Sequence, residues 1–288
     1  MLLHLEASPA IHQAESVASR TATAARVHIV DEFDLGRLRG IAGMLAVVWG
    51  TSHHGAPIPL DLLRSISHAG CNVTAAYNDN GTLCGAAVAI VSPDNVSMYS
   101  LIAGVLPGTA DRGIGFALKQ HQRAWALARG FTTMTWTFDP LVSRNARFNL
   151  TKLGAHASEY ITDFYGLMED EINSNDESDR LVAVWPLISA RTIACSKGEL
   201  GQLQMPPFSE HDVRAFGPDR DPALVEANGS LWCRVPVDIV GLRARHPDQA
   251  QAWRGSVREI FTTAFAGDNT ALGVTRTGWY RLATGGQQ

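Results

Sequence analysis

The chain has 288 residues, 45% of them hydrophobic and 18% charged, with a formal net charge of −4. That length holds one large core or two modest ones, and an acidic balance with no long basic run excludes a nucleic-acid surface. No apolar run nears the ~20 residues that span a bilayer, and the start, with no basic residues followed by a long apolar stretch, does not read as a signal peptide. Cys71, Cys84, Cys195 and Cys233 show no Cys-x-x-Cys spacing, so reduced thiols in a cytoplasmic protein are expected rather than a disulfide frame or zinc site.

Residues 1 to about 25 are rich in Ala, Ser and Thr and read as a mobile tail. Val27 to Val30 reads as a strand. Asp34 to Trp49 carries Leu35, Leu38, Ile41, Leu45 and Val48 at helical spacing, and a second helix follows with Leu62, Leu63 and Ile66 apolar. Asn72 to Tyr77 and Leu83 to Val91 flank Asn78-Asp79-Asn80-Gly81, whose Asn-Gly signals a hairpin turn. An apolar run from Met98 to Leu106 reads as a buried strand. After a Pro-Gly turn, Ile114, Leu118, His121, Trp125 and Ala128 share one helical face, and the helix ends at Arg129-Gly130. Lys119, Arg123 and Arg129 read as its solvated face. Phe131 to Phe138 alternates as a strand, Arg144 to Leu153 is a short helix, and Tyr160 to Tyr165 and Leu181 to Trp185 are further strands. Residues 188 to about 230 are irregular and Pro-rich. Beyond them come a strand at Trp232 to Val237, a helix opened by Pro247-Asp248, and a hairpin over Leu272 to Leu282.

The segment Val105-Leu-Pro-Gly-Thr-Ala-Asp-Arg-Gly-Ile-Gly-Phe-Ala-Leu118 joins strand to helix. Such a junction leaves free backbone N–H groups at the helix start, where the dipole also favours an anion. It resembles the cofactor loop of the GNAT superfamily, the acyl-CoA-dependent N-acyltransferases. Gly113, Gly115 and Arg112 fit that pattern; Ala110 stands where the family has Arg or Gln, and Asp111 where it usually has Gly. If Asp111 faces a phosphate about 4 Å away, the repulsion is ~1 kcal/mol in water and ~4 kcal/mol at an effective dielectric near 20. The alternative is that Asp111 caps the helix. Trp136-Thr-Phe-Asp-Pro-Leu141, Ser143-Arg-Asn-Ala-Arg-Phe-Asn149 and Lys152-Leu-Gly-Ala155 resemble one poorly characterised GNAT branch.

The resemblance covers roughly residues 26–187. It implies a mixed α/β fold, a central and mostly antiparallel sheet flanked by helices. An irregular linker over 188–230 and a C-terminal αβ extension over 231–288, packed on the core, would follow. It also implies direct acyl transfer from an acyl-CoA, acetyl- or succinyl-CoA, to a small-molecule amine such as an amino acid. Gly104, Val105, Arg112, Gly113, Ile114, Gly115, Ser143 and Asn145 would hold the cofactor, with a backbone amide at Gly104 or Val105 on the acyl carbonyl. The family's proton-donating Tyr position is Leu150 here. Tyr165, Asp139 and Asn149 are the remaining acid, base and polar candidates, each with a structural alternative. Trp49, His53 and His54 are the acceptor-site candidates. No ligand spacing suggests a metal. A carrier-protein phosphopantetheine donor, with an acyl carrier protein as partner, and a catalytically degenerate binding protein are the alternatives; a homodimer is compatible with the C-terminal third.

Overall fold

The computed structural model describes residues 9–51, 56–109, 112–166, 176–199, 206–208 and 224–284. They form two compact units, and the division falls inside a strand, between Thr135 and Trp136. The expected boundary near residue 187 is therefore displaced: 136–185 belong with the C-terminal residues, and only Pro186–Ile188 return to the first unit.

In the first unit α1 (Pro9–Ala25) precedes β1 (Val27–Asp31), α2 (Leu35–Trp49) and α3 (Leu60–His68). Then come β2 (Asn72–Asn78), β3 (Leu83–Val91), β4 (Ser97–Val105), α4 (Ile114–Ala128) and the start of β5 (Thr133–Phe138). The sheet order is β1-β2-β3-β4-β5. The first four strands are antiparallel, with Thr74 opposite Ala87 and Ala87 opposite Ala103, and β4 pairs with β5 in parallel.

Strands β2 and β3 are buried along most of their length instead of alternating, because helices cover both faces. On one face Leu38, Ile41 and Leu45 of α2 and Leu63 and Ile66 of α3 pack on Val73, Ala75, Ala86 and Val88. On the other, Ala25 and α4 residues Ile114, Ala117 and Leu118 pack on Ala76, Cys84 and Ala87. Asp34 caps α2 by accepting from the Arg37 N–H at 2.9 Å, and Gly50 ends the helix in the left-handed conformation at φ 66°.

Two expectations are corrected here. The supposed mobile tail contains α1, which buries Ala14, Val17, Ala18 and Ala25 and packs on α4. Small side chains let the two backbones approach closely, so a composition that reads as disorder serves a helix contact. Of the α4 residues expected to be solvated, only Arg129 stays exposed. Lys119, Gln120, Gln122 and Arg123 are all buried. Arg123 donates to Leu187 O at 2.7 Å and to Gln13 Oε1 of α1 at 2.8 Å. Arg129 stacks over Trp125, its guanidinium carbon 3.8 Å from the ring centroid.

The second unit holds α5 (Ser143–Arg147), a π-helical turn (Phe148–Lys152), β6 (His156–Ile161), β7 (Arg180–Pro186), α6 (Ala190–Lys197) and β8 (Leu224–Ala227). β9 (Ser230–Arg234), α7 (Ile239–Arg245), α8 (Pro247–Ala266), β10 (Asn269–Val274) and β11 (Trp279–Thr284) complete it. Its strands run antiparallel in the order β7-β6-β10-β11-β9-β8. The fold class is thus the expected mixed α/β one, mostly antiparallel with flanking helices. The stretch expected to be irregular over 188–230 contains α6 and β8. Pro247 opens α8, where the missing proline N–H costs nothing. Ala250, Arg254, Val257, Phe261 and Ala264 line the buried face of α8, which packs on β6 and β10.

Candidate active site

In the first unit the site is built where β4 hands over to α4. Pairing between β4 and β5 covers only Ser97–Tyr99 opposite Thr133–Thr135. Beyond it Leu101 and Ala103 are exposed. On its other side β4 stays in register with β3, and Leu106 N donates to Cys84 O at 2.8 Å. In an antiparallel ladder successive residues alternate in the direction of their N–H and C=O groups. The Leu106–Cys84 pair therefore turns the amide of Gly104 toward β3 and those of Ala103 and Val105 away from it. Of the two amides expected to face an acyl carbonyl, that of Val105 points away from β3 and that of Gly104 points toward it.

Gly104 has a different use. A Cβ there would stand 2.7 Å from Trp49 Cζ3 and 3.2 Å from Leu45 Cδ2. The missing side chain lets the half-buried ring of Trp49, at the end of α2, lie against the β4 backbone.

The loop after β4 folds back on itself. Thr109 donates from both N and Oγ1 to Leu106 O, at 3.1 and 2.8 Å. Gly113 is the N-cap of α4 at φ 85° with no side-chain cap. The first intrahelical bond runs from Ala117 N to Gly113 O at 2.9 Å, so the N–H groups of Ile114, Gly115 and Phe116 precede it. Arg112 and Gly113 are exposed, and Ile114 anchors the helix start in the core. Gly113 is required by its backbone angle, since a Cβ would meet only Ala25 Cβ at 3.9 Å. Gly115 is required by neither angle nor space, its nearest neighbour being Val105 Cγ2 at 3.6 Å. Ala110, Asp111, His53 and His54 lie outside the described residues.

The remaining candidates belong to the second unit. Asp139 is buried and held by Arg243 at 2.6 Å and Arg254 at 3.0 Å, with Arg180 at 4.0 Å; its Oδ1 also accepts from Leu141 N at 2.9 Å. Burial opposes its ionisation, but Arg254, Arg243 and Arg180 outweigh that and hold its pKa below the usual carboxylate value. A carboxylate so engaged is a poor base. Asp176 and Asp179 extend the cluster: Arg254 and Arg243 reach Asp176, and Tyr160 donates to Asp179 at 2.5 Å. Arg258 pairs with Asp179 and Glu177.

Ser143 is buried and donates to Val237 O at 3.1 Å, whereas Asn145 is exposed. Asn149 lies in the π-turn, 2% exposed, with no partner for its Nδ2. That turn is closed by Leu153 N on Phe148 O at 3.0 Å and tied to β10 through Thr151 and Val274. Leu150 is fully buried. Tyr165 is 51% exposed; its hydroxyl is 3.3 Å from Thr137 Oγ1, its ring meets Phe164 edge-on, and Arg180 sits 5.2 Å from its centroid.

Sequence reasoning missed Ser100 and Lys119. Lys119 Nζ donates to Ser100 Oγ at 2.7 Å, and both are about 95% buried, at 4% and 5% exposure. The only sequence signal was that Lys119 directly follows Leu118 of the apolar stripe, which does not by itself decide burial. Among the described residues no group of three or more His, Cys, Asp or Glu could hold a metal, and no helix is long and apolar enough to cross a membrane.

No protein-family model matches the chain, and no curated protein matches it. Among solved structures it is similar to the ribosomal-protein-S18-alanine N-acetyltransferase from Escherichia coli, at 15% identity and a TM-score of 0.46, over 57% of this chain and 96% of that one. It is also similar to Ard1 from Thermoplasma volcanium, at 11% identity and a TM-score of 0.45, over 57% and 99%. An N-acetyltransferase from Staphylococcus aureus Mu50 is similar at 16% identity and a TM-score of 0.46, over 56% and 98%.

Proposed function

We propose that the chain is a GNAT-type N-acyltransferase. It would carry the acyl group of acetyl- or succinyl-CoA to the amine of a small molecule, with amino acids as the acceptor class. One observation carries the reading. A half-strand whose amides at Ala103 and Val105 face away from β3 leads into a helix start that no side chain caps, at a left-handed Gly113.

Each part has a chemical use. The N–H groups of Ile114, Gly115 and Phe116, with the helix dipole and Arg112, suit a pyrophosphate. The Val105 and Ala103 amides suit the thioester carbonyl and the oxyanion it becomes when an amine attacks. Acyl-CoA supplies an activated acyl group on a thiol of pKa about 8.5, a leaving group that departs without strong acid help. Trp49, seated on Gly104, walls the same stretch of β4.

The test is a thiol-release assay with acetyl- and succinyl-CoA across a panel of amines that includes the amino acids. Release that depends on an amine, and that falls about tenfold or more in kcat/KM on Arg112→Ala, supports the reading; an Arg–phosphate contact is a charge-assisted bond of ~1.5–3 kcal/mol. Release independent of any amine contradicts it.

Ala110 favours a second donor. With no Arg or Gln at that position, a phosphate-facing side chain is missing. That loss weighs less for the single phosphodiester of a carrier-protein phosphopantetheine than for the pyrophosphate of CoA. If that donor is used, the carrier-bound thioester reacts faster than the CoA thioester, and equal rates dismiss it.

A further inference from the structure

The first unit holds a cavity that has no part in the reading above. It lies where α1 and α4 meet the edge strand β1 and has a volume of about 460 Å³, a size usual for small-molecule sites. Alanines of the two helices and Trp125 give it an apolar wall, and Glu15, His28, Asp31 and His121 a polar one. The seat proposed for acyl-CoA is elsewhere. His121 is about two helical turns along α4 from Ile114. In the sheet β1 is separated from β4 by β2 and β3, ~14 Å at the ordinary strand spacing.

Asp31 is the most firmly built part of the cavity. Its Oδ1 accepts from Asn72 Nδ2 and Thr74 Oγ1, each at 3.1 Å, and from His121 Nε2 at 3.2 Å. Gln122 of α4 holds Asn72 in turn, donating to its Oδ1 at 3.1 Å. Asn72, Thr74 and Gln122 are all buried, so the direction of the carboxylate is set from below. Among the described residues no donor meets the second oxygen, Oδ2. Burial opposes the ionisation of Asp31, but His121, Thr74 and Arg129 outweigh that and hold its pKa below the usual carboxylate value. An ionised carboxylate only accepts, so the shared proton sits on His121 Nε2. Glu15 adds a second, exposed carboxylate from α1. No Lys or Arg is among the lining residues, and Arg129 is stacked over Trp125.

We propose that this cavity is a second ligand site and that it takes a small organic amine as its ammonium ion. The ammonium donates to Asp31 Oδ2 beside the charge of Glu15, and the carbon chain lies against Trp125 and the alanines. A carboxylate of the same shape meets two like charges instead. The proposal does not rest on the acyltransferase reading.

Calorimetric titration of the full chain with isoamylamine tests it, with isovalerate as the matching carboxylate. Proton NMR of the tryptophan indole N–H groups locates the ligand, the Trp125 signal being identified by its loss in Trp125→Phe. Isoamylamine is expected to bind at one saturable site and to move the Trp125 signal, and isovalerate to do neither. Asp31→Asn keeps the shape of the side chain and should weaken the amine about tenfold or more, the usual worth of a hydrogen bond to a charged group. Glu15→Gln, at an exposed helix position, should weaken it by a smaller factor. A parent that does not bind isoamylamine, or that binds isovalerate equally well, overturns the site. Amine binding that both Asp31→Asn and Glu15→Gln leave unchanged also overturns it, because the amine is then held elsewhere, and the acyltransferase reading stands untouched.

Discussion

The ring of Trp49 occupies the space that a side chain at Gly104 would need, with Cζ3 only 2.7 Å from where that Cβ would be. The contact fixes the end of α2 against β4 at the strand whose amides are proposed to receive the thioester. It also explains a buried glycine inside a strand, where the residue otherwise costs backbone entropy and packing. Gly104→Ala should destabilise by about 1–3 kcal/mol, the usual cost of overpacking a filled core, and should shift tryptophan fluorescence. Trp49→Leu in the same chain should recover part of that loss. Strictly additive effects in the double-mutant cycle would mean that the two residues are not coupled.

The Asp139 cluster is a buried ion-pair network, and such networks are vulnerable to the loss of one member. Asp139→Asn leaves Arg243 and Arg254 short of their shared carboxylate and should cost about 3–5 kcal/mol in denaturant unfolding. Asp238, exposed and paired with Arg245 at 3.8 Å, gives the control: Asp238→Asn should change little.

The same carboxylates set an acid limit. Burial works against the ionisation of Asp139 and Asp179, but the arginines, with Tyr160 at Asp179, hold both below the ordinary value. A carboxylate with a lower pKa folded than unfolded stabilises fully above its unfolded pKa of about 3.9, and that contribution is lost as pH falls through the folded value. Stability of the parent should therefore drop steeply below about pH 4. In Asp139→Asn the drop should be shallower, because one linked proton has been removed. Parallel acid-unfolding curves would contradict this account of the cluster.

Leu150 stands where the GNAT resemblance places a proton-donating tyrosine, and it is fully buried in the second unit. Leu150→Tyr should therefore fail to raise kcat and should destabilise by about 1–3 kcal/mol through overpacking. A rise in kcat with unchanged melting would show that the position opens onto the reacting groups after all.

Helix α1 offers a direct check on the correction to the chain's N-terminal reading. Ala14 is fully buried where α1 belongs to the first unit's packing. Ala14→Leu should cost about 1–3 kcal/mol, whereas a mobile tail would tolerate it. Thermal melting of the two proteins decides.

What the sequence revealed and what it hid follow from the range of the interactions. Helices α2, α4 and α8 were legible because Leu38, Ile41 and Leu45, or Val257, Phe261 and Ala264, recur at helical spacing within the segment itself. The β2–β3 hairpin was legible from Asn80-Gly81. Helix α1 was not, because its buried residues are mostly alanines whose importance depends on α4. The fate of Asp139 was hidden for a similar reason: its partners Arg243 and Arg254 lie 104 and 115 residues away. Arg123, which donates to Gln13 of α1, read as solvated only while α1 was taken for a tail. At the loop the pattern of glycines was informative, but it could not separate Gly113, which the backbone angle demands, from Gly115, which has room for a methyl group.

The central claim is that the uncapped start of α4 seats the pyrophosphate of an acyl-CoA. A calorimetric titration of the full chain with acetyl-CoA, repeated on Gly113→Val, tests it most directly. Valine forces a branched side chain into a left-handed backbone angle and crowds the exposed N–H groups. The account predicts micromolar binding by the parent and at least about a tenfold loss, ~1.4 kcal/mol, in the variant. A parent that binds no acetyl-CoA, or a folded variant that binds it equally well, would contradict the claim.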